Sequence, residues 1–278
     1  ITILLQECAG VEAGFRPKDY ETAGAAIVSD YDELLKEGHI FLKVQVVCLQ
    51  ECMLEIVDPL NKGSVLIGFM SPFKYIHNIQ SLAERELTTF SMELVPRISR
   101  AQRMDALSAM SSAAGYKAVL LAASRLNKIF PLMMTAAGTI LPANVLVIGA
   151  GVAGLQAIAT AKRLGARVKA FDTRPIVKEQ VESLGAEFIS LETSQDAGTA
   201  GGYAEEMTED FYRHEHATIG EHLPETDAVI TTAQIFGKRA PLLITEEMLQ
   251  SMNHGSVIID LAAEQGGNCE LTVPGKDV

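Results

Sequence analysis

The chain has 278 residues, room for two domains of ordinary size, and its 48% apolar and 21% charged residues exclude an intrinsically disordered chain. With 23 Lys and Arg against 35 Asp and Glu, the net charge is −12, which removes the electrostatic reason to seek nucleic acid or an anionic membrane surface. No apolar stretch reaches the roughly 18 uncharged residues of a membrane span. Of the four cysteines, only Cys48 and Cys52 are close, with no second pair or histidine cluster beside them. That spacing predicts no zinc site and buried free thiols in a reducing compartment.

In chain order, ITILLQE reads as a strand followed by a Gly/Ala turn, CAGVEAG. The chain opens at Ile1, inside this strand, so the start of a longer protein is expected to be missing. A helical stretch at 18–23, the strand AAIVS, the helix DYDELLKEG and the strand IFLKVQVV with Lys43 come next. SVLIGFM, the helix IHNIQSLAERE and the strand TTFSMELV complete the first series. Ala- and Ser-rich residues 105–127 predict one long helix, and Pro131 and Pro142 mark a loop after it. A second series follows: NVLVIG, the helix VAGLQAIATAKRLG closed by Gly165, RVKAFD, the helix PIVKEQVESLG, AEFISLE, TDAVITTA and GSVIIDLA. Strands alternating with helices imply parallel sheets. The expected fold is α/β, with two Rossmann-like doubly wound domains at 1–115 and 116–278, linked by the long helix and cut short at the outer ends.

VIGAGVAG places Gly149, Gly151 and Gly154 in G-x-G-x-x-G between a strand and a helix. The first glycine makes a tight turn, the second lets backbone approach a pyrophosphate, and the third lets helix pack on strand. Asp172 ends the next strand, 21 residues after Gly151. A carboxylate there accepts from a ribose diol and repels a 2′-phosphate, so NAD(H) is the expected cofactor. Arg174, two residues on, is of a type that accommodates that phosphate. A glycine-rich stretch, QDAGTAGGYAEEM, reads equally as a functional lid or a surface loop, with Tyr203 and Met207 giving it an apolar edge.

The polar stretch RISRAQRMDALS runs from 97 to 108. Ser99 and Gln102 fit a capping box, with Asp105 as a first-turn acid, which explains these residues without a ligand. The alternative leaves a role for Arg97 and Ser108. At steps of three, Gln102, Asp105 and Ser108 would present an amide, a carboxylate and a hydroxyl on one side of a helix, matching a carboxamide and a ribose.

PRISRAQRMDALS, AGYKAV, GAGVAG, FDTR, GGYAEEM, TTA and GSVIIDLAAEQGGN, in this order, resemble the NAD(H)-binding component of the proton-translocating nicotinamide nucleotide transhydrogenases. The resemblance covers nearly the whole chain, including AGFRPKDYETAGA and FLKVQ. It implies that Arg97, Gln102, Asp105 and Ser108 surround the nicotinamide. It implies that Gly149, Gly151, Val152, Gly154, Asp172, Thr173, Arg174, Thr232 and Ala233 hold the nucleotide, and that Gly202, Tyr203 and Met207 sit on a mobile loop that closes over it. It further implies NADP(H) on a partner component, proton movement through a membrane domain, a homodimer, and a soluble domain peripheral to a mitochondrial inner or bacterial plasma membrane. No metal is implied. The family pattern is departed from at Val11 and Glu12, and at Gln234 and Phe236 in TTAQIFGKRAP.

Hydride transfer between two nicotinamide rings needs orientation rather than a protein acid or base. His214, His216 and His222 fall on an acidic, exposed helix, and His39, His77 and His254 flank loops or a strand turn; none is expected to be catalytic. Alanine dehydrogenase shares this two-domain architecture, but needs a histidine that the region LIGFMSPFKY lacks, leaving Lys43 without it. A regulatory domain that senses NAD(H) would share the glycine motifs and have no use for the Arg–Gln–Asp–Ser set.

Overall fold

The computed structural model describes residues 1–46, 60–191, 208–235 and 237–278. It divides into two compact units, Ile1–Ala106 and Leu107–Val278.

In the first unit, β1 (Leu4–Gln6) and β2 (Ala26–Val28) pair in parallel around α1 (Pro17–Thr22). Asp19 caps α1 reciprocally with Arg16, accepting its backbone N–H at 2.9 Å. Asp30 opens α2 (Tyr31–Glu37) by accepting from Asp32 N at 2.9 Å. A second parallel sheet follows in the order β3 (Ile40–Gln45), β4 (Val65–Phe69), β5 (Thr88–Ser91), with α3 (Ile76–Glu84) between the last two. Leu35, Phe41, Leu66, Met70 and Leu82 form its core. The strand expected over 88–95 stops at Ser91, and Met92–Leu94 tighten into a 3₁₀ turn. The cause is Glu93, whose carboxylate accepts from Met70 N at 2.9 Å and Ser91 Oγ at 2.6 Å, folding the chain back over the end of β4.

The long helix is α4 (Ala106–Arg125). From Leu107 onward it belongs to the second unit, so the division falls earlier than the expected 115/116 boundary. By length and composition α4 would pass for a membrane span. Lys117 interrupts it, however, and Ala118, Val119 and Ala122 pack into the unit's core. Where a loop is expected after it, β6 (Met133–Thr135) and β7 (Gly138–Ile140) form an antiparallel hairpin, turned by Thr135 Oγ1, which accepts from Ala137 N at 3.2 Å.

The second unit's main sheet has five parallel strands: β8 (Asn144–Ile148), β9 (Arg167–Phe171), β10 (Glu187–Ile189), β11 (Ala228–Thr231) and β12 (Val257–Asp260), in the order β10-β9-β8-β11-β12. The helices are α5 (Val152–Arg163), α6 (Lys178–Ser183), α7 (Glu209–His222) and the short α8 (Glu246–Leu249). The helix expected from Pro175 is divided, with a 3₁₀ turn at Pro175–Val177 before α6. Alternate strand residues serve opposite faces. Val145, Val147, Ala170 and Ile230 pack with α4, α5 and α6, while Leu146, Ile148, Phe171 and Val229 pack with Ile219 of α7. Burial on both faces is why these strands read as continuous apolar runs.

Register then sets the site. Ile148 lies opposite both Phe171 and Thr231, and Thr231 opposite Asp260. Four strands therefore end level, and Gly149, Asp172, Thr232 and Leu261 leave the sheet along one edge. Strand order reverses at β8, the position where open α/β sheets bind ligands.

Candidate functional site

The three glycines of the turn serve different ends. Gly149 takes φ +98°, and a Cβ there would lie 2.5 Å from Thr232 Oγ1. A Cβ on Gly154 would fall 1.8 Å from Gly149 O, so α5 packs onto the turn only with glycine at this position. Gly151 has φ −77°, open to any residue, and a Cβ there would meet nothing within 4 Å. Its missing side chain therefore satisfies no contact within the protein; it leaves space open before the helix. No side chain caps α5 among the described residues, so its first amides and the positive end of its dipole face that space. A pyrophosphate fits such a cradle. Val152, the first residue of α5, is exposed beside it.

Asp172 is 7% exposed. Its Oδ2 accepts from Ala150 N, within the glycine turn, at 2.7 Å, and its Oδ1 accepts from Arg174 N at 2.9 Å. The Arg174 guanidinium closes on both oxygens, Nε to Oδ1 and Nη2 to Oδ2, each at 2.9 Å. This bidentate bonding raises the pKa of Arg174 above its ordinary value. The acid suited to a diol and the arginine suited to a phosphate thus form one unit, with the guanidinium turned onto the carboxylate. Thr173, between them, is half-buried. Across the turn, Thr232 Oγ1 donates to Gly149 O at 3.1 Å, and Ala233 N donates to Asn268 Oδ1 at 3.1 Å.

The stretch 97–108 differs from its expected form. Residues Ser99–Met104 form a 3₁₀ helix whose N-terminal cap is Ile98, and no side chain caps it. The Ser99–Gln102 capping box is absent because Ser99 is already inside the turn; Asp105, at ψ 78°, breaks the chain before α4 starts at Ala106. Gln102, Asp105 and Ser108 therefore do not share one helix face. Arg97 and Gln102 are exposed, whereas Asp105 and Ser108 are half-buried.

Gly202, Tyr203, Met207, Phe236, Cys48 and Cys52 lie outside the described residues. Cys269 is buried as expected, but Cys8 is exposed, in the turn following β1. His214 and His216 each bond a backbone carbonyl, Asp210 O at 2.7 Å and Leu242 O at 2.8 Å, which makes them structural. Gln234 Nε2 donates to Leu261 O at 3.1 Å. Among the described residues no cluster of His, Cys, Asp or Glu is placed to hold a metal.

Two buried polar groups escape the sequence reading. Glu215, 4% exposed, shares the buried face of α7 with Phe211 and Ile219. Burial pushes its carboxyl from 4.5 up to about 7, with the charge of Asp172 adding to the effect. An acid four residues from each of two buried apolar residues was the available signal. Asn268, fully buried, is the last residue of AAEQGGN, and nothing in its spacing marked it.

Models of the alanine dehydrogenase/PNT family match this chain in both halves, the N-terminal domain over residues 1–114 and the C-terminal domain over 118–278. The chain belongs to this family. Within it, the chain is 49% identical over 278 residues to an NAD(P) transhydrogenase alpha subunit of Rhodospirillum rubrum, covering 99% of this chain and 72% of that one. A solved transhydrogenase structure from Sinorhizobium meliloti matches with a TM-score of 0.85 at 44% identity, over 97% of this chain and 72% of that one. A solved L-alanine dehydrogenase matches with a TM-score of 0.77 at 25% identity, over 99% and 69%. The alanine dehydrogenase/PNT architecture is thus the α/β, parallel-sheet fold expected from the sequence, and the motif resemblance to transhydrogenases holds along the whole chain.

Proposed function

We propose that this chain is the NAD(H)-binding component of an NAD(P) transhydrogenase, an oxidoreductase that exchanges hydride between NAD(H) held here and NADP(H) held on a partner component, coupled to proton movement through a membrane domain. The carrying observation is the space in front of Gly151. It faces an uncapped helix start, and the adjoining turn is held by buried Asp172 through Ala150. Support for the transhydrogenase branch of the family comes from 49% identity along the chain to a transhydrogenase alpha subunit.

Bound NADH supplies the hydride; this chain holds and orients it. The first amides of α5 receive the pyrophosphate. Asp172 accepts from the adenosine ribose diol, taking lone pairs that Arg174 occupies here, so nucleotide binding draws the guanidinium off the carboxylate. Thr232 and Ala233 line the other side of the turn. Arg97, Gln102, Asp105 and Ser108 supply the charge, amide, carboxylate and hydroxyl that bond a carboxamide and its ribose at the reacting end. Ring-to-ring transfer asks only for orientation, which such groups provide.

A second copy of the chain is a further proposed partner. Met133, Met134 and Ile140 of the hairpin, with the flanking Leu132 and Leu141, are all exposed on an element too small to cover them. Sedimentation showing a stable monomer at micromolar concentration would overturn this.

The function is tested by adding NADH deuterated at C4 together with NADP⁺ and a transhydrogenase NADP(H)-binding component, then reading deuterium in NADPH by mass spectrometry. Label is expected in NADPH only when both proteins are present. Binding of NADH without label transfer would overturn the transhydrogenase reading.

A further inference from the structure

The strand β12 ends in Asp260, whose carboxylate organises the chain that follows. Oδ1 accepts from Ala262 N at 2.9 Å; Oδ2 accepts from Asn268 N at 2.7 Å, Cys269 N at 3.2 Å and Thr272 Oγ1 at 2.6 Å. Gly266 and Gly267, at φ +103° and +78°, supply the left-handed turn that brings residue 268 back to this carboxylate. So placed, the Asn268 side chain is fully buried and almost fully used. Nδ2 donates to Ala233 O at 2.9 Å and to Pro241 O at 2.8 Å, while Oδ1 accepts from Ala233 N at 3.1 Å. The carboxamide thus grips both backbone groups of Ala233, as a neighbouring strand would. Thr232, the residue before, has its hydroxyl on Gly149 O, and Gly149 has no room for a Cβ on that side. A continuous set of bonds runs from Asp260 through Asn268 and the Thr232–Ala233 segment to the glycine turn.

We infer that Asn268 is a positioning residue that fixes the β11 side of the dinucleotide site, the side that meets the nicotinamide half of NAD(H). This rests on the NAD(H)-binding reading given above. A dinucleotide bound at the reversal of strand order straddles it, with its adenosine half beside the acid after the second strand and its other half across the turn. Asp172 and the start of α5 belong to the first half, and nothing in their bonding depends on Asn268. Thr232 and Ala233 belong to the second, and their backbone is held by Asn268. A fault at residue 268 therefore strikes NADH and spares ADP, which has no second half.

The test is calorimetry of NADH and ADP on the whole protein, wild type and Asn268→Asp, with thermal unfolding alongside. Aspartate keeps the shape and an acceptor for Ala233 N, but loses both donors and sets a carboxylate against two carbonyl oxygens. NADH affinity is expected to fall at least about tenfold while ADP affinity stays within about twofold of wild type. Thr232→Val, which removes the hydroxyl seated on Gly149 at nearly constant volume, is expected to give the same split more weakly, and decides the matter if Asn268→Asp does not fold. Equal losses of ADP and NADH would reduce Asn268 to a purely structural role and overturn the assignment, as would unchanged NADH binding. Wild-type protein that binds ADP but not NADH would overturn the reading of the site itself, and this assignment with it.

Discussion

Replacing Glu215 by glutamine removes a carboxyl that the fold holds away from water. The side chain is 4% exposed on the inner face of α7, and burial first, then the nearby charge of Asp172, lifts its pKa from 4.5 to about 7. That displacement corresponds to about 3 kcal/mol of difference between the two protonation states. The folded chain favours the neutral form. The stability belonging to that form is fully present below pH 4.5, where the unfolded chain is protonated too, and is lost as pH rises through about 7. Glutamine is neutral at every pH and nearly isosteric, so Glu215→Gln escapes this loss. Urea unfolding of both proteins at pH 5 and pH 8.5 measures it. Relative to the variant, wild type is expected to lose about 2–3 kcal/mol between the two pH values, because all other titrating groups are common to both. A difference that stays flat with pH, or a variant that becomes the weaker protein at pH 8.5, would refute the account of Glu215 as a buried, neutral acid.

Other consequences separate binding from packing. Gly154→Ala forces a Cβ against Gly149 O and should cost stability by about 1–3 kcal/mol or more in a denaturant titration. Gly151→Ala meets no atom, so its stability should stay within about 1 kcal/mol of wild type while NADH affinity falls at least about tenfold; a variant that still binds NADH normally would mean the phosphates lie elsewhere. Asp172→Asn loses the charge that holds Arg174, so calorimetry should show NADH weakened about 10- to 100-fold and NADPH strengthened as the guanidinium becomes able to meet a 2′-phosphate. Unchanged preference in this variant would show that the pair does not set cofactor choice.

The glycine turn was legible because its chemistry leaves few choices. Only glycine tolerates φ +98° at 149 or a backbone oxygen 1.8 Å from a would-be Cβ at 154, and the strand–turn–helix order supplied the rest. The pairing of Asp172 with Arg174 was not, since two residues in one loop can face each other or a ligand equally well, and only side-chain conformation decides. Ser99–Gln102 misled because S-x-x-Q suits a 3₁₀ turn as well as a helix start, and the chain spends residues Ser99–Met104 in the former. The hairpin was missed because its strands are three residues each and alternate too briefly to show a period. Glu215 was hidden in EDFYRHEHATIGEH, where so many polar residues mask the apolar stripe that Phe211 and Ile219 define.

The central claim is that the glycine turn and Asp172 hold NAD(H) in preference to NADP(H). Calorimetry measures it directly and suits a chain without tryptophan, whose intrinsic fluorescence would report little. Titrating NADH and NADPH separately into the wild-type protein should give NADH binding at least about tenfold tighter, since the buried carboxylate repels a 2′-phosphate and Arg174 is engaged with it. Equal affinities, a preference for NADPH, or no binding of either nucleotide would contradict the account.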